Sequence, residues 1–294
     1  MITRALRVLC EGMIDYSGFA PPAALPLGQA VANYAAYRGQ PHSWLLGRSI
    51  VPIAKIPEYE KALTANEHTG KPWKLSALTT GHVLSDMEAI REFNERQENR
   101  AVIDAVELKA DSADVIRALR PVVPANLKAY VEIPLSGDLA ALVAALAANG
   151  LRAKARTGGL TDDAIPSCES VAKFIVACRA ARIAFKFTAG MHAPLRSVRA
   201  LTYAADSPKA MMHGFINAFL AAGAAWQDAD LHTVTEILGE TATEVFDFDD
   251  ERALWRDVRV SCEFLEATRR GFAISLGSCS FTEPVEGLQK LGWV

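Results

Sequence analysis

Leu151-Arg152-Ala153-Lys154-Ala155-Arg156-Thr157-Gly158-Gly159 and Ile183-Ala184-Phe185-Lys186-Phe187-Thr188-Ala189-Gly190-Met191-His192 read as two short strands, each carrying a lysine and each running into glycine. Both are apolar enough to be buried, and a charge on a buried strand is costly unless it is paired or has a task. Residues 167–181, with helical periodicity, separate them. A helix-length connection forces the two strands to run parallel.

The same unit recurs along the chain. Strands are expected at 7–15, 43–52, 73–80, 102–109, 128–134, 151–157, 183–189 and 272–277, with helices at 25–38, 55–66, 85–98, 111–119, 137–149 and 167–181. Ser85 with Glu88 matches a capping box, and Ser167 with Ser170 behind Pro166 marks another helix start. Eight such strands fit a single (β/α)8 barrel over residues 1–294, because eight is the number whose interior side chains fill the barrel. The alternative, a doubly wound open sheet, lacks a GxGxxG or GxxxxGK[ST] turn after the first strand. One interval breaks the rhythm. Residues 195–270 are expected to form a helical elaboration, with helices near 195–205 and 208–225 and an acidic run from Phe246 to Glu251, as an outer layer, a lid or an oligomer contact.

Composition narrows the function. The chain has 294 residues, half of them hydrophobic and 22% charged, with a net charge of −3 and no basic run, so nucleic acid is not an expected partner. The most apolar helical stretch, 211–226, is shorter than the roughly 20 residues that span a bilayer, and no membrane partner is expected. Five cysteines without CxxC spacing fit reduced thiols and a cytoplasmic location. The six histidines, His42, His68, His82, His192, His213 and His232, show neither HxH nor HExxH spacing, so neither metal nor cofactor is expected. His213 reads as a packed helix histidine and Cys279 as a small buried residue.

In a barrel the functional side chains sit at the carboxyl-terminal ends of the strands. Alternation places Lys154 with Arg156, Lys186 with Thr188, and Glu107 with Lys109 on shared faces, with Glu132 late in its strand. A lysine beside other cations and partly desolvated has a lowered pKa and can attack a carbonyl, while a carboxylate such as Glu132 moves the protons. Either lysine can serve, and Lys186, between two phenylalanines, is preferred. Asp15 and Arg48 are placed at the mouth as substrate ligands. An anion is expected on Arg156, Arg196 and His192, and on the turns holding Gly158, Gly159, Gly190, Gly277 and Ser278. The competing reading is an internal ion-pair network that only holds the barrel together.

The opening Ile14-Asp15-Tyr16-Ser17-Gly18-Phe19-Ala20-Pro21-Pro22-Ala23, with Leu46-Gly47-Arg48, resembles a group of bacterial proteins of similar length with which no activity is associated. The run Lys186, Thr188, Gly190 is similar to the Schiff-base strand of deoxyribose-phosphate aldolase and other class I aldolases, although Phe187-Thr188-Ala189-Gly190 stands where that family has Thr-Ser-Thr-Gly. That family carries its Schiff-base lysine on strand 6 and a second lysine on strand 7. The resemblance implies a lyase acting on a small anionic carbonyl compound, with Lys154 and Lys186 in these two roles, in either order. A phosphoribosyltransferase-like barrel using the same cations without a covalent step, and a non-catalytic anion-binding or partner-docking barrel, are the rivals.

Overall fold

The Phe-Lys-Phe alternation shows how the sheet is arranged. Phe185 and Phe187 turn outward against Phe174, with ring centroids 5.2 and 6.3 Å away, and Lys186 turns inward, fully buried. A computed structural model describes residues 2–66 and 70–294; His68 lies outside them.

The chain starts with helix α1 (Arg4–Cys10) and strand β1 (Ile14–Tyr16), then α2 (Leu27–Arg38), β2 (Leu46–Pro52), α3 (Ile56–Ala65), β3 (Trp73–Leu78), α4 (Val83–Gln97) and β4 (Ala101–Lys109). It continues through α5 (Ala113–Leu119), β5 (Lys128–Glu132), α6 (Leu139–Ala148), β6 (Arg152–Arg156), α7 (Cys168–Ala180) and β7 (Phe185–Thr188). An excursion follows: an antiparallel ribbon of β8 (Ser197–Ala200) and β9 (Lys209–Met212), helices α8 (Phe215–Trp226) and α9 (Leu231–Gly239), and an antiparallel sheet of β10 (Phe246–Phe248), β11 (Arg252–Trp255) and β12 (Val258–Ser261). Then α10 (Cys262–Gly271), β13 (Ala273–Ser278) and α11 (Thr282–Lys290) complete the fold. Strands β1 to β7 and β13 form a closed parallel barrel, with β13 between β7 and β1. The chain is a (β/α)8 barrel. Among the described residues no helix is long and apolar enough to cross a membrane.

Several sequence expectations need correction. Residues 7–15 are not one strand: Ala5, Leu6, Leu9 and Cys10 are buried on one helical face of α1, and Gly12, at φ +60°, turns the chain into the short β1. Residues 195–205 hold no helix, because β8 there pairs with β9 in the register Ser197↔Met212 to Ala200↔Lys209. The helix expected from 208 begins only at Phe215. Gly214 precedes it where a Cβ would come within 2.4 Å of the Leu195 carbonyl carbon, so the base of the ribbon packs on bare backbone. His213 therefore lies ahead of the helix, its Nε2 2.7 Å from the Pro166 carbonyl. The acidic run 246–251 forms β10 and a turn in which the Asp249 carboxylate accepts the Glu251 and Arg252 N–H groups. It packs against α1, not as a lid. Ser167 does cap α7, accepting the Ser170 N–H, but α4 begins two residues before Ser85, whose hydroxyl donates to the His82 carbonyl.

Candidate active site

Six charged side chains form one chain of contacts that runs from the barrel interior to a half-exposed end at Arg156. Lys186 Nζ donates to Asp15 Oδ2 (2.5 Å) and Glu107 Oε1 (2.8 Å). Glu107 Oε2 lies 2.7 Å from Lys154 Nζ, a contact off hydrogen-bond direction and so an ion pair. Lys154 also meets Glu132 Oε2 at 2.9 Å, and Arg156 Nε donates to Glu132 Oε1 at 3.0 Å. Hydroxyls complete the ends: Ser275 donates to Asp15 Oδ2 and Ser76 to Glu107 Oε1. Three carboxylates face three cations, which is how so many charges are tolerated in an interior.

The electrostatics follow from this pairing. Burial alone would raise the Glu107 carboxyl, but the charges of Lys154 and Lys186 outweigh it and hold it well below the ordinary carboxylate range. Glu132 is lowered too, burial being overcome by Lys154 and Arg156. For Lys186, burial pulls the ammonium down but Asp15 and Glu107 raise it above its ordinary value. The expectation of a lowered lysine pKa at Lys186 is thus corrected: its nearest charged groups are carboxylates, not cations.

The network opens at one end. A cavity of about 1090 Å³ occupies the mouth, and Lys154, with a side chain 5% exposed, lines it together with Glu107, Glu132 and Arg156. Thr188, Gly190, Gly159, His192 and Gly277 border it as well. Lys186, 0% exposed, does not.

Other proposed ligands lie elsewhere. Asp15 sits beneath the mouth, its oxygens taken by Lys186, Ser275 and the Arg48 N–H. Arg48 is early in β2, not late, and grips Asp104 in a bidentate pair at 2.6 and 2.8 Å, with Lys128 on the same carboxylate. Arg196 does not border the cavity but turns toward Cys168 and His213. Ser278 spends its hydroxyl on the Ser280 backbone. Gly158 is a packing residue: a Cβ there would come within 2.6 Å of the Gly190 Cα, and Gly190 itself is at φ +84°. Gly158→Ala therefore pushes backbone against backbone, and a loss of about 1–3 kcal/mol is expected in urea denaturation; an unchanged midpoint would contradict this contact.

The sequence did not announce which part of residues 195–270 borders the mouth. The β8–β9 ribbon brings Arg199, Tyr203 and Lys209 to the cavity, and the first turn of α11 brings Glu283. Tyr203 Oη donates to Glu283 Oε1, and His192 Nδ1 is 3.3 Å from Glu283 Oε2. A carboxylate thus occupies the helix N-terminus after the last barrel strand, where barrels often hold phosphate, and Lys109 and Arg156 are among the cations that line the cavity. Among the described residues no group of three or more His, Cys, Asp or Glu side chains is arranged to hold a metal.

His192 carries a pH prediction. Burial would lower it, but its contacts with Cys279 and Glu283 prevail and raise it to about 9. A raised folded pKa contributes stability that is fully present below the unfolded value of about 6.5 and fades as pH rises toward 9. Urea midpoints should fall across that window in wild type, and His192→Gln should flatten the slope; parallel profiles would refute the assignment. No protein-family model matches the chain, and no curated protein does either.

Proposed function

We propose that the barrel is an enzyme, a lyase of the aldolase type, that forms an imine between Lys154 and a small anionic carbonyl compound. One observation carries this reading: Lys154 is a buried amine that reaches the cavity while lying between two carboxylates, Glu107 and Glu132. Lys186, preferred on sequence grounds, is enclosed by Asp15 and Glu107 and supports the other role, a fixed cation behind the reacting amine.

Glu132 borders the cavity and takes one proton from the Lys154 ammonium; the freed amine then adds to the carbonyl carbon, and the two protons that leave as water are this one and a second from the same nitrogen. The N–C bond forms, the carbonyl π pair moves to oxygen, and the oxygen collects a proton. A second proton delivered to that oxygen releases water and leaves the iminium. The bond between the α and β carbons then breaks, its electron pair forming the enamine with the iminium, while a base removes the proton of the β-hydroxyl that becomes the new carbonyl. Arg156 and Lys109 line the side where the anionic end of the substrate is held.

The test is borohydride reduction in the presence of small aldehydes, keto acids and sugar phosphates, followed by peptide mass mapping. The expected result is an adduct on Lys154. Absence of an adduct with every compound, together with binding of pyrophosphate or phosphate, would overturn the covalent reading in favour of an electrostatic one.

A further inference from the structure

A second nucleophile shares the cavity with Lys154. Cys279 follows the last barrel strand and is buried at the rim, and its Sγ lies 4.0 Å from His192 Nε2. The other ring nitrogen of His192 faces the Glu283 carboxylate at 3.3 Å, in ion-pair contact rather than an aligned hydrogen bond. Glu283 is in turn held by the Tyr203 hydroxyl and lies 3.8 Å from Arg199 Nη2, both on the β8–β9 ribbon segment that covers the mouth. A nucleophile, a ring that handles its proton and an acid beside the ring are thus in contact, the nucleophile and the acid from the β13–α11 segment and the ring from the loop after β7.

We propose that Cys279, His192 and Glu283 form a thiol site that captures an aldehyde reversibly at the barrel mouth. The three residues border one open cavity, so a carbonyl compound has access to the sulfur. His192 Nε2, 4.0 Å from the sulfur, is placed to take the thiol proton as the S–C bond forms and to return it to the carbonyl oxygen. The Cys279 sulfur adds to the aldehyde carbon and an S–C bond forms. The π pair of the carbonyl moves to its oxygen, which takes the proton from His192 Nε2. The product is a hemithioacetal; nothing leaves, and no oxidant or reductant takes part. The site requires no imine at Lys154, although both nucleophiles open on the same cavity and an aldehyde is a natural product of the lyase proposed above.

Cys168 supplies an internal reference, since it is more exposed than Cys279 yet its thiol is raised, chiefly by burial. The experiment is iodoacetamide alkylation of the full chain at pH 7, read by peptide mass at both cysteines, with and without glycolaldehyde. Cys279 is expected to react about tenfold faster than Cys168 despite its burial. His192→Gln should abolish that advantage, and Glu283→Gln should reduce it in the same direction. If His192→Gln does not fold, as judged by circular dichroism, Glu283→Gln carries the comparison. Glycolaldehyde should slow the Cys279 reaction saturably and leave Cys168 unchanged, in wild type and in Lys154→Arg alike. A Cys279 no faster than Cys168, or indifferent to both substitutions, overturns the activated thiol. Protection by glycolaldehyde that disappears in Lys154→Arg overturns capture at sulfur, since the aldehyde is then held by Lys154. The readout needs no borohydride adduct, so failure of the imine reading leaves it intact.

Discussion

Lys186→Met is expected to lower folding stability by about 3–5 kcal/mol. The substitution keeps the unbranched apolar stem and shortens the side chain by one heavy atom, so packing against the barrel wall changes little. What it removes is the cation shared by Asp15 and Glu107, both almost wholly buried. Glu107 keeps Lys154, but Lys186 is the cation paired with Asp15, which among the described residues then retains the Ser275 hydroxyl and the Arg48 N–H. An uncompensated carboxylate in an interior carries its full desolvation penalty, and a domain has only about 5–15 kcal/mol of stability in total. Adding Asp15→Asn should recover part of the loss, because it removes the orphaned charge and keeps the side chain's shape. Urea denaturation of wild type, both single variants and the double variant gives the coupling directly. The ammonium is raised above its ordinary value, so its contribution is fully present below about pH 10.4 and is lost only as pH rises through the higher folded value. The measured loss should therefore be the same at pH 6 and pH 8. A loss below about 1 kcal/mol would mean that the interior charges are solvated by something other than one another.

The barrel was legible because its pattern is local. Phe185-Lys186-Phe187 alone says that one face meets helices and the other meets polar groups, and the spacing of such segments says that they run parallel. The inward-facing acids and lysines on β4 to β7 could be named for the same reason. Depth could not. Lys154 and Lys186 are register partners on adjacent strands, so nothing in their own strands distinguishes them. The difference comes from Asp15, which reaches Lys186 only because β13 and β1 close the ring. Arg48 was misplaced through the same blindness: its distance from the start of β2, which begins at Leu46, puts it low in the barrel beside Asp104. Cys279 and His192 are 87 residues apart and meet through the pairing of β13 with β7, a contact no periodicity announces. The β8–β9 ribbon was hidden by its brevity, since four-residue strands broken by a turn do not show enough alternation to be told from a helix.

Lys154→Arg separates the chemical role of this residue from its structural one. Arginine keeps the positive charge between Glu107 and Glu132, so the ion-pair chain stays balanced, and the added bulk is accommodated toward the open cavity that Lys154 borders. Stability is expected to stay within about 2 kcal/mol of wild type. A guanidinium cannot act as the amine of an imine, because it stays protonated in proteins. Borohydride-dependent labelling by whichever carbonyl compound marks the wild type should fall by at least about 10³-fold, and turnover with it. Lys186→Arg provides the contrast. It lies outside the cavity, keeps its charge opposite Asp15 and Glu107, and should leave labelling within about tenfold of wild type in the fraction that folds. The opposite pattern, with labelling retained in Lys154→Arg and lost in Lys186→Arg, would make the deeper lysine the nucleophile. The barrel would then have to open to admit its substrate, since Lys186 has no exposed surface. A stable Lys154→Arg with unchanged turnover would leave the six charges of the network with a structural task alone, and the cavity beside them would be a binding site that needs no covalent step.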